Sequence, residues 1–402
     1  METAVACGRC GNPLEPTDPR CDSCREARPP HGWPPDPRLG QVVLGRLVLT
    51  RRIGYGATGS VYLAEDPQEG GRVAVKLLRP ELTHDPEIVH RFRLEAVLTK
   101  SLEIPQVVPA YDFGQLPDGT HYFTMEYVEG VGLDDVLARR GTLPLATVLT
   151  IARQVLAALD VAHSRGVVHR DMKPGNLLLA RDPTGQPLVR ILDFGFARMN
   201  EVLDGSGPRR RLTLSRTVMG TPTYMAPEQA RGARNLDGRA DLYSLGVILY
   251  RALTGVAPFT GTMEEVLRQH LETPPQPPSS RWPDVPPAMD EILLKMLQKD
   301  PARRHATAAE VLADLDRAFP SGPSAWDPEE MRASAKSRSE LVRLVDRYVM
   351  GTRSLPALRN VPGAEPALPE PPPLASLRLP WLLGAAGVGV ALLAVLAWWL
   401  LR

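Results

Sequence analysis

The chain has 402 residues, 43% of them hydrophobic and 23% charged, with a formal net charge of +1. That size accommodates two or three folded units, and the near-neutral balance removes the electrostatic case for nucleic-acid binding. Many of the 41 prolines fall in two tracts, the mark of linkers rather than of one compact body.

All four cysteines lie near the start, as Cys7-Gly8-Arg9-Cys10 and Cys21-Asp22-Ser23-Cys24. Two CxxC knuckles can present four thiolates to one tetrahedral ion, so Cys7, Cys10, Cys21 and Cys24 are read as a structural zinc set within a ribbon-like segment over 1–28. Two disulfides or redox-active thiols are the alternatives. No apolar run near the start reads as a signal peptide, which places this end in the cytosol and makes disulfides the weaker reading. So small a unit has too little core to fold without its metal.

A proline-rich linker over 29–43 follows, and from Leu44 the pattern becomes globular. Strand-like runs cover Arg46–Arg52, Ser60–Glu65 and Arg72–Leu78, a helical stretch covers Pro86–Thr99, and further strands end at Tyr122–Tyr127. From Leu133 helices dominate, with apolar residues at helical spacing over Leu145–Arg165 and Ala240–Leu253, and again over Pro287–Leu297 and Ala306–Ala318. Strands first and helices later predict an α+β protein with a small β-rich lobe at 44–128 and a larger helical lobe at 129–319. Residues 320–378 read as a polar helix, Pro328–Val349, and a second proline-rich linker, Pro362–Pro373. The uncharged run Leu379–Leu401, within 379–401, is long enough to cross a hydrocarbon core of roughly 30 Å. Trp381, Trp398 and Trp399 flank it like interface anchors, and Arg353, Arg359 and Arg378 before it favour an inside N-terminus. No external domain is expected after it. The small pairs Ala385/Gly389 and Gly387/Ala391 suit helix dimerisation.

The chemistry is concentrated in His169-Arg170-Asp171-Met172-Lys173-Pro174-Gly175-Asn176 and, shortly after, Asp193-Phe194-Gly195. These supply a candidate base (Asp171), an adjacent cation (Lys173) and two oxygen ligands for magnesium (Asn176, Asp193), the set that phosphoryl transfer requires. Upstream, Gly54-Tyr55-Gly56-Ala57-Thr58-Gly59-Ser60-Val61 lies at a strand turn and is followed by another strand with Val73-Ala74-Val75-Lys76. A dinucleotide fold would place a helix there, so the order favours a glycine-rich flap over ATP made by Gly54, Gly56, Gly59 and Val61, with Lys76 reaching the phosphates. Glu95, in the helix after Lys76, is positioned to pair with it. Met125-Glu126-Tyr127-Val128 is the natural hinge, where backbone groups of Glu126 and Val128 would read the adenine edge. A second Asp-Phe-Gly, Asp112-Phe113-Gly114, precedes the catalytic segment and is read as an ordinary turn.

Together these residues resemble the eukaryotic-like (Hanks-type) Ser/Thr protein kinases, in particular the membrane-bound bacterial members, over roughly Leu44–Phe319. The resemblance implies a bilobal kinase fold, ATP and magnesium as cofactors, protein substrates and Ser/Thr rather than Tyr specificity, marked by Lys173. It also implies that Thr221 contacts Asp171 and Lys173, and that Glu228 of Ala226-Pro227-Glu228 pairs with Arg304. Asp241 would brace the catalytic loop, with a helix N-cap as its alternative. Thr213, Ser215 and Thr217 lie where the family is autophosphorylated. The implied protein is a single-pass inner (plasma) membrane kinase with a cytoplasmic catalytic domain and a transient homodimer as its expected active form. A nucleotide-binding scaffold and a small-molecule kinase are the rival readings.

Overall fold

A computed structural model describes residues 5–320, apart from 8–12, 15–18, 21–26, 33, 57, 194–221 and 234. Cys10, Cys21, Cys24, Thr213, Ser215, Thr217, Thr221 and the expected juxtamembrane and apolar C-terminal segments lie outside the described residues.

At the N-terminus, β1 (Val5–Ala6) and β2 (Pro13–Leu14) make a short antiparallel ladder. The small lobe is one sheet of β3 (Val42–Val43), β4 (Leu47–Tyr55), β5 (Gly59–Glu65), β6 (Arg72–Leu78), β7 (Ala110–Gln115) and β8 (His121–Glu126), in the order β3-β4-β5-β6-β8-β7. Every neighbouring pair in it is antiparallel. Strand alternation sorts β6 onto two faces. Val73, Val75 and Leu77 join Leu47, Leu49 and Tyr62 in one core, while Ala74 and Leu78 face a second core with Phe92, Ala96 and Phe123.

Helix α1 (Pro86–Leu102) covers that second face. Its start is fixed by Asp85, whose carboxylate accepts the N–H groups of Glu87 and Ile88, and by Pro86 in the first turn. Its buried stripe is Phe92, Ala96, Thr99 and Leu102, and Glu95 falls inside that stripe at helical spacing. Lys76 and Glu95 are therefore directed at each other by two periodicities, one of the strand and one of the helix.

The large lobe begins with β9 (Gly130–Gly132), α2 (Leu133–Arg140) and α3 (Leu145–Ser164). The hairpin of β10 (Leu177–Arg181) and β11 (Pro187–Ile191) pairs with β9 in the order β11-β10-β9. After the short helix α4 (Pro227–Ala230) come α5 (Arg239–Thr254), α6 (Met263–Glu272), α7 (Pro278–Arg281), α8 (Pro287–Met296) and α9 (Ala308–Ala318). Their core centres on α3 and α5, with Val155, Leu156 and Leu159 of the first against Leu245, Ile248 and Leu249 of the second. Helix α3 is apolar and long enough to cross a membrane, but its apolar side chains are spent on this core.

Two expectations are corrected. Asp112-Phe113-Gly114 is not a turn but lies within β7. Phe113 packs against the ring of Phe92 at 6.1 Å, and Gly114 lets the Tyr122 ring of β8 lie close by, since a Cβ there would be 2.6 Å from its hydroxyl. Nor is all of 29–43 a bare linker. Val42–Val43 pairs with β4, and Asp36 is buried against the sheet, accepting hydrogen bonds from Arg52 Nη1 and the Tyr62 hydroxyl, each at 2.9 Å. The same Arg52 Nη1 donates to the Val5 carbonyl at 3.2 Å, so the first residues are tied to β4 as well.

Candidate active site

A cleft of about 910 Å³ lies between the lobes, lined from above by β4 and β5 and from below by the segment 170–176, Leu192, Asp193 and residues 224, 225 and 229. Its roof turn is closed by the Gly56 N–H donating to the Gly59 carbonyl at 2.8 Å. The three glycines serve different needs. A Cβ on Gly59 would lie 2.0 Å from the Leu77 carbonyl oxygen of β6, so that glycine is demanded by strand packing. Gly54 and Gly56 have no such neighbour, the nearest atoms being at 3.5 and 3.9 Å, and leave the roof open for a phosphate chain.

Lys76 is buried, and its Nζ donates to Glu95 Oε1 at 2.7 Å while lying 2.9 Å from Asp193 Oδ1. Burial disfavours the ammonium, but Asp193 and Glu95 together outweigh this and hold the Lys76 pKa above its ordinary value. Burial pushes Glu95 up to about 7, with Asp193 adding to the rise and Lys76 opposing it. Asp193 is also desolvated, yet the charge and hydrogen bond of Lys76 leave its carboxyl below the usual range. One ammonium between two carboxylates is a site with negative charge to spare, as a metal-nucleotide site requires.

The catalytic segment is held from beneath. Asp241, 1% exposed in the first turn of α5, accepts the N–H of His169 at 2.7 Å and the Nε2–H of His163 at 2.8 Å on Oδ2. Its Oδ1 accepts the N–H of Arg170 at 2.8 Å. The N-cap position of α5 belongs to Gly238, so the carboxylate serves the loop and not its own helix. These bonds hold Arg170 in a left-handed conformation, φ +65°, which a non-glycine residue adopts only when its surroundings fix it. The buried His169 ring donates from Nε2 to the Leu192 carbonyl at 3.0 Å, fastening the loop to the strand end that carries Asp193, itself at φ +46°.

Asp171 is half-exposed in the cleft, and its Oδ2 accepts from Lys173 Nζ at 2.7 Å and from Asn176 Nδ2 at 3.3 Å. Asn176 Nδ2 also donates to the Asp171 carbonyl at 2.8 Å. With its nitrogen spent on the loop, Asn176 keeps its amide oxygen as an acceptor in the cleft that Asp193 also lines. Two hard oxygen donors suit magnesium, and the residues present fit that ion. At the hinge, the Glu126 N–H donates to the Pro109 carbonyl at 3.1 Å, and Glu126 and Val128 both line the cleft. Glu228 and Arg304 form a two-pronged pair at 2.7 and 2.8 Å, with Arg304 fully buried.

The arrangement thus brings Lys76, Glu95, Asp171, Lys173, Asn176 and Asp193 to one cleft and places Asp241, Glu228 and Arg304 behind it. The Pkinase family model, described as protein kinase domain, matches residues 47–315. The chain belongs to the protein kinase family. The kinase is 37% identical over 318 residues to serine/threonine-protein kinase PknB of Mycolicibacterium smegmatis, covering 78% of this chain and 49% of the relative. It is 42% identical over 294 residues to serine/threonine-protein kinase Pkn1 of Myxococcus xanthus, covering 72% and 40%. Among solved structures it is similar to the Mycobacterium tuberculosis PknI kinase domain, with a TM-score of 0.53 at 29% identity over 69% of this chain and 98% of that one. The kinase spans about half or less of the length of these curated relatives. Its bilobal fold, with a β-rich small lobe and a helical large lobe, is that of the family, and protein kinases use ATP and magnesium.

The structure adds site residues that sequence reasoning missed. Gln229, directly after Ala226-Pro227-Glu228, accepts the Ala226 N–H at 2.9 Å and donates to the Arg170 carbonyl at 2.8 Å. Arg190 of β11 pairs with the Glu126 side chain at the hinge. His163 shares Asp241 with the catalytic loop. Gln229 alone had a legible signal, its position beside a fixed motif.

Proposed function

We propose that this kinase is a membrane-anchored bacterial signalling enzyme that transfers the γ-phosphoryl group of ATP to Ser and Thr hydroxyls of proteins, including its own activation segment. The observation that carries this reading is Lys76 bridging Glu95 and Asp193 in the same cleft that holds Asp171 paired with Lys173. In it, Lys76 holds phosphate oxygens and Glu95 holds Lys76. Asn176 and Asp193 hold magnesium, whose charge offsets that of the phosphates when bound. Asp171 orients the substrate hydroxyl and takes its proton, while Lys173 and Thr221 steady that carboxylate and the departing phosphoryl oxygens. Gly54, Gly56, Gly59 and Val61 cover the nucleotide, and the backbone of Glu126 and Val128 fixes its base.

Thr213, Ser215 and Thr217 are the proposed autophosphorylation sites, with Arg170 able to pair with a phosphate there. Residues 379–401 are the proposed single span in the inner membrane, with the catalytic domain on the cytoplasmic side and self-association of spans favouring a transient dimer. Cys7, Cys10, Cys21 and Cys24 are the proposed zinc ligands, a reading supported by their spacing and tested by measuring zinc per chain with and without Cys10→Ser.

The deciding experiment incubates the protein with Mg-ATP beside Asp171→Asn and maps phosphate by mass spectrometry. Phosphate on Thr213, Ser215 or Thr217 in the parent alone supports the proposal. ATP binding with phosphate in neither protein would replace it with a nucleotide-binding scaffold.

A further inference from the structure

We infer that His270, remote from the reacting groups, is a positioning residue for the protein substrate, acting through a hydrogen-bonded line from Tyr243 to the Thr223 carbonyl. The inference rests on the reading that protein substrates lie along the wall that follows the activation segment.

That wall begins with a turn at Pro222–Tyr224, and Tyr224 and Met225 line the cleft together with Asp171 and Lys173. Thr223, just before them, directs its carbonyl to α6, where His270 Nε2 lies 3.0 Å away. A carbonyl only accepts, so Nε2 carries the hydrogen. The other ring nitrogen, Nδ1, is 2.9 Å from the Tyr243 hydroxyl, which therefore donates to it. Tyr243 and His270 are both fully buried, and Tyr243 belongs to α5, the helix that also holds the catalytic loop through Asp241. One rigid helix thus sets the height of the catalytic loop and, through His270, the height of the substrate wall.

The line requires a proton on Nε2; a charged ring would keep that bond by turning the Tyr243 hydroxyl into an acceptor, so the neutral form depends on the surroundings. The surroundings enforce this. Lys299 Nζ is 4.1 Å from the centre of the Phe259 ring and 3.5 Å from the Tyr243 hydroxyl, and it donates to the Gln269 carbonyl at 2.9 Å. Phe259 packs edge-on against His270 at 4.9 Å, and Arg304 stacks over Tyr243 at 4.8 Å. Burial and the Lys299 charge push the His270 pKa down to about 4.

The test uses the full-length protein with dephosphorylated casein as substrate. His270→Met fills the space and removes the donor, while His270→Gln keeps an N–H of similar reach. The casein KM should rise about fivefold in His270→Met, the equivalent of one neutral hydrogen bond. In the same variant kcat and the ATP KM should stay within about twofold, and His270→Gln should restore the casein KM. An unchanged casein KM in folded His270→Met, or casein and ATP KM rising together, would overturn the inference. Should His270→Met fail to fold, nitrogen-15 NMR of the parent imidazoles decides. A ring carrying Nε2–H at pH 7 upholds the line, and a neutral Nδ1–H ring refutes it.

Discussion

Replacing Glu95 by glutamine isolates what charge contributes at the Lys76 hub. Lys76 Nζ lies 2.7 Å from Glu95 Oε1 and 2.9 Å from Asp193 Oδ1, with the Phe123 ring centre at 5.5 Å. In the proposed mechanism Asp193 would hold magnesium, and Glu95 would then be the carboxylate that keeps the ammonium aimed at the phosphates. A hydrogen bond involving a charged group is worth about 1.5–3 kcal/mol, against about 0.5–1.5 kcal/mol between neutral partners. Glu95→Gln preserves shape and acceptor and loses about 1–1.5 kcal/mol, a drop in kcat/KM of about tenfold. Glu95→Ala also removes the acceptor beside a buried ammonium and should cost about 3 kcal/mol, or more than about a hundredfold. Initial rates of phosphate transfer to casein over a range of ATP concentrations measure both, and circular dichroism checks that each variant is folded. Parental rates in Glu95→Gln, or equal losses in the two variants, would show that Glu95 acts as packing and that the hub reasoning is mistaken.

Gly59→Ala should lower the melting temperature by several degrees and raise the ATP KM, because a Cβ 2.0 Å from the Leu77 carbonyl forces β5 from β6. Gly56→Ala, with its nearest atom at 3.9 Å, should melt with the parent, and thermal denaturation separates the two. Arg304→Met strands Glu228 in a largely buried site and should cost about 3–5 kcal/mol in urea unfolding. His270 makes stability pH-dependent with a definite sign. Its folded pKa, about 4, lies below the ordinary value of 6.5, so the unfolded chain takes the proton first. Stability is full above about pH 6.5 and falls by about 3 kcal/mol as pH drops to about 4. Lys299, pushed down to about 7, gains most of its proton between about pH 8 and 6, so it adds to the fall only at the start of this range. Glu95, pushed up to about 7, takes its proton first in the folded state and opposes the fall over the same range, so urea titrations from pH 7 to 4 should show the His270 contribution as the difference between the parent and His270→Met.

What could be read from the sequence was set by local rules. Lys76 and Glu95 follow from a strand period and a helix period, and Asp171, Asn176 and Asp193 from fixed letters on two adjacent segments, so their convergence was legible before any coordinates. Asp112-Phe113-Gly114, set before the catalytic segment and between two strand-like runs, reads as a turn, whereas it lies inside β7 with Gly114 admitting the Tyr122 ring from the next strand. Asp36 was hidden among prolines, and its role depends on Arg52 and Tyr62 of the sheet. Gln229 reaches Arg170 across 59 residues and His270 reaches Thr223 across 47, by side-chain bonds to backbone carbonyls that no spacing rule encodes.

The Asp36 tie bears on how this enzyme should be cut for biochemistry. A fragment trimmed to the family match starts at residue 47 and discards Asp36 together with the Val5 carbonyl, both partners of Arg52. Arg52 sits on the strand that leads into the glycine turn and lines the nucleotide cleft. Inhibitor rankings obtained on such a fragment would describe a roof released from its outer fastening. Compounds that reach beneath β4 would be the ones whose order changes when the whole chain is assayed.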